Sequence, residues 1–397
     1  MSKIVIDRTA VEEFINSRYI EAVFPSKDRV AEIMSSGKQL VFYWGIDPTG
    51  PDVHLGHTTN IFVMKKLIEL GHKIIMLIGS FTAMIGDPTG KDTARKVLTN
   101  KEVKENMSTY INQVQKILPK GSFDVKYNSD WYKKMATEEF LKLTDHITVQ
   151  QMIARDMFQK RIKEDKPISL REFMYPLLQG YDSVAMKVDG EVGGNDQTFN
   201  MMVGRDLAKV MLNKDKIVIA TRLLEDPVTA RKIMSKSEGQ YISLNDSAMD
   251  MFGKTMALPD SAILTLFRYA TELPENSIGE IKKRLDNGEN PKNIKEELAF
   301  ELVKMYHKEK EALKAKKDFD NVFSEGQTPE NMPDIKSLGN ILETAVSAGI
   351  VLSSSEMKRL VEQGAVRINN QVVERWDYED KPGDVLKVGS HKFYKLK

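Results

Sequence analysis

Two short apolar runs, Leu40–Ile46 and Lys73–Gly79, constrain this chain most. Each is rich in Val, Ile, Phe or Leu and too short for a helix, so each reads as a buried strand. Between them helical spacing begins near His54 and passes through Asn60, Phe62, Leu67 and Leu70 to Gly71, a natural helix stop. Strand, helix and strand at this spacing form a βαβ unit. The expected class is therefore α/β, a parallel sheet wrapped by helices.

The remaining segments add to that unit. Residues 1–36 read as an amphipathic helical region, with Val11, Phe14, Ile15 and Ile20 at helical spacing. Residues 99–172 are charged and mostly helical in pattern, and Val184–Val192 and Lys216–Ala220 supply further strands. Leu224–Gly239 lacks an apolar period and reads as a loop, and 245–323 return to helical spacing. The expected division is a first domain at 1–225, a loop and helical domain at 226–325, a linker at 326–334 and a small α+β domain at 335–397. In that last domain strands are expected around Val366–Ile368, Val385–Val388 and Lys392–Leu396.

Composition narrows the chemistry. With 58 Lys+Arg against 57 Asp+Glu in 397 residues, bulk charge does not hold the chain to nucleic acid, although a local basic patch is compatible. The absence of cysteine excludes disulfides, thiolate metal sites and a cysteine nucleophile. Met1–Arg8 has no apolar core of a leader, and no apolar run approaches a membrane span, so a soluble, cytoplasmic protein without a membrane partner is expected.

Three stretches carry candidate chemistry. His54-Leu55-Gly56-His57 allows three readings: surface histidines, a metal pair, or part of a phosphate site. A metal needs a third ligand, and the other histidines are scattered, so no protein-held metal is expected. The strand-loop-helix context favours phosphate, because a helix N-terminus attracts anions and two imidazoles can donate to them. Gly56 would let a flat base approach the backbone. Gly86-Asp87-Pro88-Thr89-Gly90-Lys91 fails the Walker spacing and is no P-loop. It is either a turn or a place where Asp87, at a strand end, meets a ligand ammonium. Met234-Ser235-Lys236-Ser237, in the long loop, is either a solvated basic loop or a mobile clamp for β/γ-phosphates.

His54–His57 resembles the "HIGH" signature of class I aminoacyl-tRNA synthetases, and Met234–Ser237 resembles their "KMSKS" signature, in matching order and separation. Tyr43–Thr49, Tyr175–Asp182 and Gly193–Gln197 narrow the resemblance to the bacterial tyrosyl enzymes, over nearly the whole chain. The resemblance implies a Rossmann-like catalytic domain, an α-helical domain and a small α+β RNA-binding domain. It implies activation of L-tyrosine by ATP, accompanied by Mg²⁺, and transfer of tyrosine to tRNA(Tyr). Tyr43 and Asp182 would hold the phenol hydroxyl. Asp87, Tyr175 and Gln179 would hold the ammonium, and Gln197 would lie near the carboxylate. Asp47, Gly56, Gly194, Asp196, Met234 and Lys236 would surround ATP, with Asp196 reaching the ribose. Thr49, His54, His57, Lys91, Arg95, Lys236 and Ser237 would act on the transition state. Lys358, Arg359 and Arg367 would meet RNA phosphates, and a homodimer would form through residues 120–165.

The residues also reason on their own. Tyr175, Gln179 and Asp182 stand at i, i+4 and i+7 and share one helical face. The resemblance further implies that the pair at 43 and 182 shares one pocket, on the same side of the sheet as the histidines. Two features depart from the family pattern: Ile233 where the signature has Lys, with Lys232 one step earlier, and the bulky Trp44. Ile233 favours an alternative, an RNA-binding protein with a weakened catalytic domain. Two others are a tryptophanyl enzyme, opposed by Tyr43, Asp182 and Gly193–Gln197, and a nucleotidyltransferase sharing the His-x-Gly-His site but not tRNA, opposed by the signature loop and the C-terminal RNA-binding domain.

Overall fold

The protein is described from a computed structural model covering residues 4–89, 98–235, 239, 241–324, 332–351, 353–389 and 392–397. Lys91, Arg95, Lys236 and Ser237 lie outside the described residues.

The two apolar runs form parallel strands in register, β2 (Val41–Ile46) beside β3 (Lys73–Ile78), joined by the helix Thr58–Glu69. Gly71 ends that connection at φ +89°, a conformation a side chain would resist. With β1 (Ile20–Phe24), β4 (Asp124–Tyr127), β5 (Gly190–Gly194) and β6 (Ile217–Thr221) they make a six-stranded sheet in the order β1-β6-β5-β2-β3-β4. All its pairs are parallel except β1 against β6. From β2 the chain moves outward to β3 and β4, then returns to β5 on the other side of β2. The order therefore reverses between β2 and β5, where open α/β sheets leave a crevice at their carboxyl ends.

Three expectations change. Residues 20–24 are not helical: Ile20 starts an edge strand, with Val23 opposite Ile219 of a strand some two hundred residues away. The strand expected at Val184–Val192 begins only at Gly190, because the helix Leu170–Met186 runs on to Met186 and ends at a left-handed Lys187. Asp87 follows a short helix, Thr82–Ile85, and not a strand end.

The chain divides into two compact units, residues 1–245 with 261–284, and residues 246–260 with 285–397. In the second, helices Ala248–Met256, Pro291–His307 and Glu309–Ser324 bury Leu298, Leu302 and Phe252. A small five-stranded sheet, β7 (Asp334–Ile335), β8 (Val366–Ile368), β9 (Gln371–Val372), β10 (Val385–Val388) and β11 (Lys392–Leu396), has the order β7-β11-β10-β8-β9. The helices Ile341–Ser347 and Ser354–Glu362 share its core through Ala345, Met357 and Leu386. No described helix is long and apolar enough to cross a membrane.

In the helical insertion Arg161 is fully buried and grips Glu172 with both Nη atoms, at 2.8–3.0 Å. Glu172 also accepts from the Ser169 amide, capping the helix Leu170–Met186. Arg161→Met strands a buried carboxylate and is expected to cost about 3–5 kcal/mol, read as a lowered urea midpoint. Arg161→Met with Glu172→Gln should recover much of it.

Candidate active site

Tyr43 and Trp44 are adjacent on β2, so their side chains point to opposite faces of the sheet. Trp44 approaches the His57 ring, with centroids 6.0 Å apart. Tyr43 packs on the other face with Ile75, Leu77, Val188 and Trp131. The expectation of one pocket on the histidine side is therefore corrected. Two half-sites stand on opposite faces and can meet only over the carboxyl ends of β2 and β5.

The first half-site surrounds Tyr43. Gly45, two residues along the same face, is exposed although its strand is central, so the sheet surface is open there. Tyr43 and Leu77 flank it at 3.8 and 4.0 Å from where a Cβ would stand. Asp182, 3% exposed, accepts from Tyr132 Oη at 2.9 Å, Trp131 Nε1 at 3.0 Å and Asn128 Nδ2 at 3.3 Å. Burial pushes its carboxyl well above the usual range, and these three donors pull in the opposite direction. The Tyr43 hydroxyl is within 3.0 Å of Ser183 Oγ. Burial first, then the charges of Glu191 and Asp182, keep that phenol protonated.

A chain of polar side chains continues along the crevice. Tyr175 donates to Asp47 Oδ2 at 2.9 Å, and Thr82 donates to Asp47 Oδ1 at 2.7 Å. Gln179 donates to Glu191 at 3.0 Å, and Asn200 bridges Gln179 and Gln197, both at 3.0 Å. Gln197 donates to Asp87 Oδ2 at 2.8 Å. The helix Leu170–Met186 thus brings Tyr175, Gln179 and Asp182 to one face, as their spacing predicts.

The second half-site joins the two signature strings. His54 caps a 3₁₀ turn, Leu55–His57, ahead of the helix Thr58–Glu69. The His54 and His57 rings lie 3.9 Å apart. Nδ1 of each accepts a backbone N–H at 3.1 Å, from Gly56 and His54 respectively. That pattern puts the proton of each neutral ring on Nε2. The segment after the loop zips onto this turn: Leu55 N donates to Ile242 O and Leu244 N to Val53 O. A Cβ on Gly56 would stand 2.8 Å from the His54 ring and 3.3 Å from Met234 Cβ. Only glycine leaves that space.

After β5, Asp196 is paired with Lys232 at 2.6 Å. Ile233 is buried, its N–H on Leu224 O. Thr49 sits in the exposed turn after β2, its N–H on Asp47 O at 2.8 Å, and buried Gly194 ends β5. In the second unit Lys358 lies 4.1 Å from the Trp376 ring centroid, and Arg359 shares its helix. Arg367 on β8 registers with Lys387 on β10, two like charges that unaided strand pairing disfavours. Burial first, and Arg367 second, lower the Lys387 ammonium's pKa.

The sequence reading missed Asn128, Trp131, Tyr132, Ser183, Glu191, Asn200 and Lys216. For Glu191 a signal was present, a charge inside a strand that is buried throughout. Asn128 offered none, being a polar residue in a charged insertion.

With this geometry in view, residues 35–324 match the family described as tRNA synthetases class I (W and Y), and residues 342–386 match the S4 domain. The chain belongs to the class I tRNA synthetases. It is 40% identical to the tyrosine–tRNA ligase of Carboxydothermus hydrogenoformans, covering 96% of both chains. It is also 40% identical to tyrosine–tRNA ligase 2 of Clostridium acetobutylicum, covering 99% of this chain and 98% of that one. Within the class it therefore falls among the tyrosine–tRNA ligases. The fold matches a truncated mitochondrial tyrosyl-tRNA synthetase of Aspergillus nidulans (TM-score 0.63, 23% identity, 79% of this chain and 94% of that one). It also matches the Archaeoglobus fulgidus enzyme complexed with L-tyrosine (TM-score 0.61, 22% identity, 78% and 99%).

Asn128 is fully buried and also accepts from Phe81 N at 2.7 Å and donates to Thr82 Oγ1 at 2.9 Å. Asn128→Ala leaves that amide without its acceptor and removes one donor from Asp182. It is expected to cost about 2–4 kcal/mol, read as the urea midpoint of the first transition, since each unsatisfied buried group costs about 1–3.

Proposed function

We propose that this chain is a tyrosine–tRNA ligase that forms tyrosyl-adenylate from L-tyrosine and ATP, then passes the tyrosyl group to the terminal adenosine of tRNA(Tyr). The observation that carries this reading is the exposed Gly45 beside Tyr43, whose buried phenol feels the charge of Asp182, together with the hydrogen-bonded Tyr175–Asp47 and Gln197–Asp87 pairs.

An aromatic amino acid laid over Gly45 presents its hydroxyl to Tyr43 and Asp182, one to donate and one to accept. Its ammonium meets Asp87, the Tyr175 oxygen, whose proton is already given to Asp47, and Gln179. Gln197 lies near its carboxylate. That carboxylate attacks the α-phosphorus of ATP, the bond to the bridging oxygen breaks, and pyrophosphate leaves. No protein nucleophile is needed, which accords with a chain lacking cysteine. Asp47, Gly56, Gly194, Asp196 and Met234 form the nucleotide cradle. His54 and His57, with Nε2 protonated, and Thr49 offer donors to charge developing on phosphate. Lys91, Arg95, Lys236 and Ser237 are assigned to the leaving pyrophosphate by family resemblance alone. Mg²⁺ arrives with the ATP phosphates. Lys358, Arg359 and Arg367, joined by Lys387, supply RNA phosphate contacts, and the Arg367–Lys387 juxtaposition favours an anionic partner. The reaction is placed in the cytoplasm.

Asp182 has acceptor oxygens, and phenylalanine would bury it beside Tyr43 without the hydroxyl that the pair is arranged to meet. A site built to bond a hydroxyl rejects the analogue lacking it, and this enzyme class is itself the worked case of that rule. Asp182→Ala is expected to lower tyrosine-dependent ATP–pyrophosphate exchange by more than about 100-fold with the fold retained. An amino-acid panel in the same assay should single out tyrosine. Exchange driven by tryptophan, or none with any amino acid, would overturn the reading.

We also propose a homodimer through residues 120–165. Leu141, Val149 and Ile162 there are 57%, 64% and 49% exposed, an apolar surface that a second copy would cover. Leu141→Asp with Val149→Asp should halve the mass measured by light scattering.

A further inference from the structure

Beneath the Tyr43 half-site lies a charge pair that the scheme above does not use. Lys216, immediately before β6, and Glu191, on β5, are 0% and 2% exposed and ion-paired. Glu191 registers directly with Tyr43 on β2. Lys216 Nζ also donates to Ser183 Oγ at 2.8 Å, and Ser183 Oγ is 3.0 Å from the Tyr43 hydroxyl. The other oxygen of Glu191 accepts from Gln179 at 3.0 Å. Space has been cleared for the ammonium: a Cβ on Gly204 would stand 2.6 Å from Lys216 Nζ and 3.1 Å from Ser183 Oγ. A buried pair of this kind seldom adds stability over apolar residues of equal volume, so its position needs another reason.

Proton bookkeeping supplies one. An ammonium only donates, so Lys216 fills one lone pair of Ser183. If Tyr43 donated to the other, the Ser183 proton would have no further acceptor among the described residues, in a fully buried place. If Ser183 donates to the Tyr43 oxygen, Ser183 is satisfied and the Tyr43 proton is turned away from it, available to the neighbouring Glu191 carboxylate or to an incoming ligand. We propose that Ser183, held by the Lys216–Glu191 pair, is a positioning residue that turns Tyr43 into a hydrogen-bond donor for the substrate hydroxyl. Ser183 thereby sets the preference for tyrosine over phenylalanine. This rests on the reading that Tyr43 meets the substrate phenol.

The test is ATP–pyrophosphate exchange with tyrosine and with phenylalanine, on the full chain, for wild type, Ser183→Ala, Tyr43→Phe and the double variant. Ser183→Ala should lower kcat/KM for tyrosine about 10-fold, mainly through KM, the equivalent of one hydrogen bond. The values for phenylalanine and the KM for ATP should stay unchanged. In the Tyr43→Phe background Ser183→Ala should have no further effect, because it acts through the lost hydroxyl. The neutral pair Lys216→Met with Glu191→Gln, which keeps Ser183 but removes its donor, should shift the tyrosine-to-phenylalanine ratio in the same direction. Equal losses for both amino acids, an unchanged ratio, or effects that simply add would overturn the proposal. Wild type failing to exchange with tyrosine would overturn the functional reading as well; normal wild-type exchange with an unaltered Ser183→Ala ratio overturns this inference alone.

Discussion

Strands β2 and β5 hydrogen-bond side by side, yet the chain leaves them in opposite directions. Everything at the site depends on that divergence. No crossover helix can cover the carboxyl ends of both strands at once, so the sheet stays open where they adjoin. Gly45 is exposed on a central strand for this reason, and the polar side chains of the candidate site come from distant parts of the chain. Tyr43 comes from the strand itself, Asp47 from the turn after it, Asp87 from beyond a short helix, and Gln197 from the turn after β5. The backbone supplies the opening and the side chains supply its chemistry.

What the sequence made legible is what is local. The βαβ unit, the loop around Met234 and the common helical face of Tyr175, Gln179 and Asp182 all follow from periodicity within a few turns of chain. What stayed hidden is what depends on a remote partner. Ile20–Phe24 is a strand only because Val218–Thr221 offers it an edge, and in isolation its apolar residues fit a helix equally well. The Val184–Met186 stretch has strand-forming residues but stays helical, closed by the left-handed Lys187. Asn128, Trp131 and Tyr132 reach Asp182 across some fifty residues. No pattern in a charged insertion marks which of its polar residues will turn inward.

The site's electrostatics show a common design. Asp182 is desolvated, which disfavours its charge, and surrounded by donors, which favour it. Lys216 is desolvated too, which lowers its pKa, while Glu191 opposes that loss. In a low-dielectric pocket such opposed influences are large, and each hydrogen-bond direction is fixed by what its neighbours can still give or take. The polar groups of this pocket thus have a donor or acceptor character largely set by their neighbours.

The departure at Ile233 has the same kind of explanation. The Glu225–Lys232 bridge holds this part of the loop against the segment after β6, and Ile233 N bonds Leu224 O. The Ile233 side chain is buried there as a plug. A lysine at 233 would have to bury its ammonium or break that packing, and neither is cheap for a charge without a partner. Lys232, whose side chain is 47% exposed, reaches Asp196 at the carboxyl end of β5 instead. A cation is thus present one residue earlier, on Lys232, where it pairs with Asp196. On the nucleotide reading, its charge already sits against the carboxylate proposed to receive the ribose. Binding ATP would exchange that exposed ion pair, worth about 0–1 kcal/mol, for hydrogen bonds to sugar and phosphate. A contact that weak can hold the loop near the site without competing seriously with substrate.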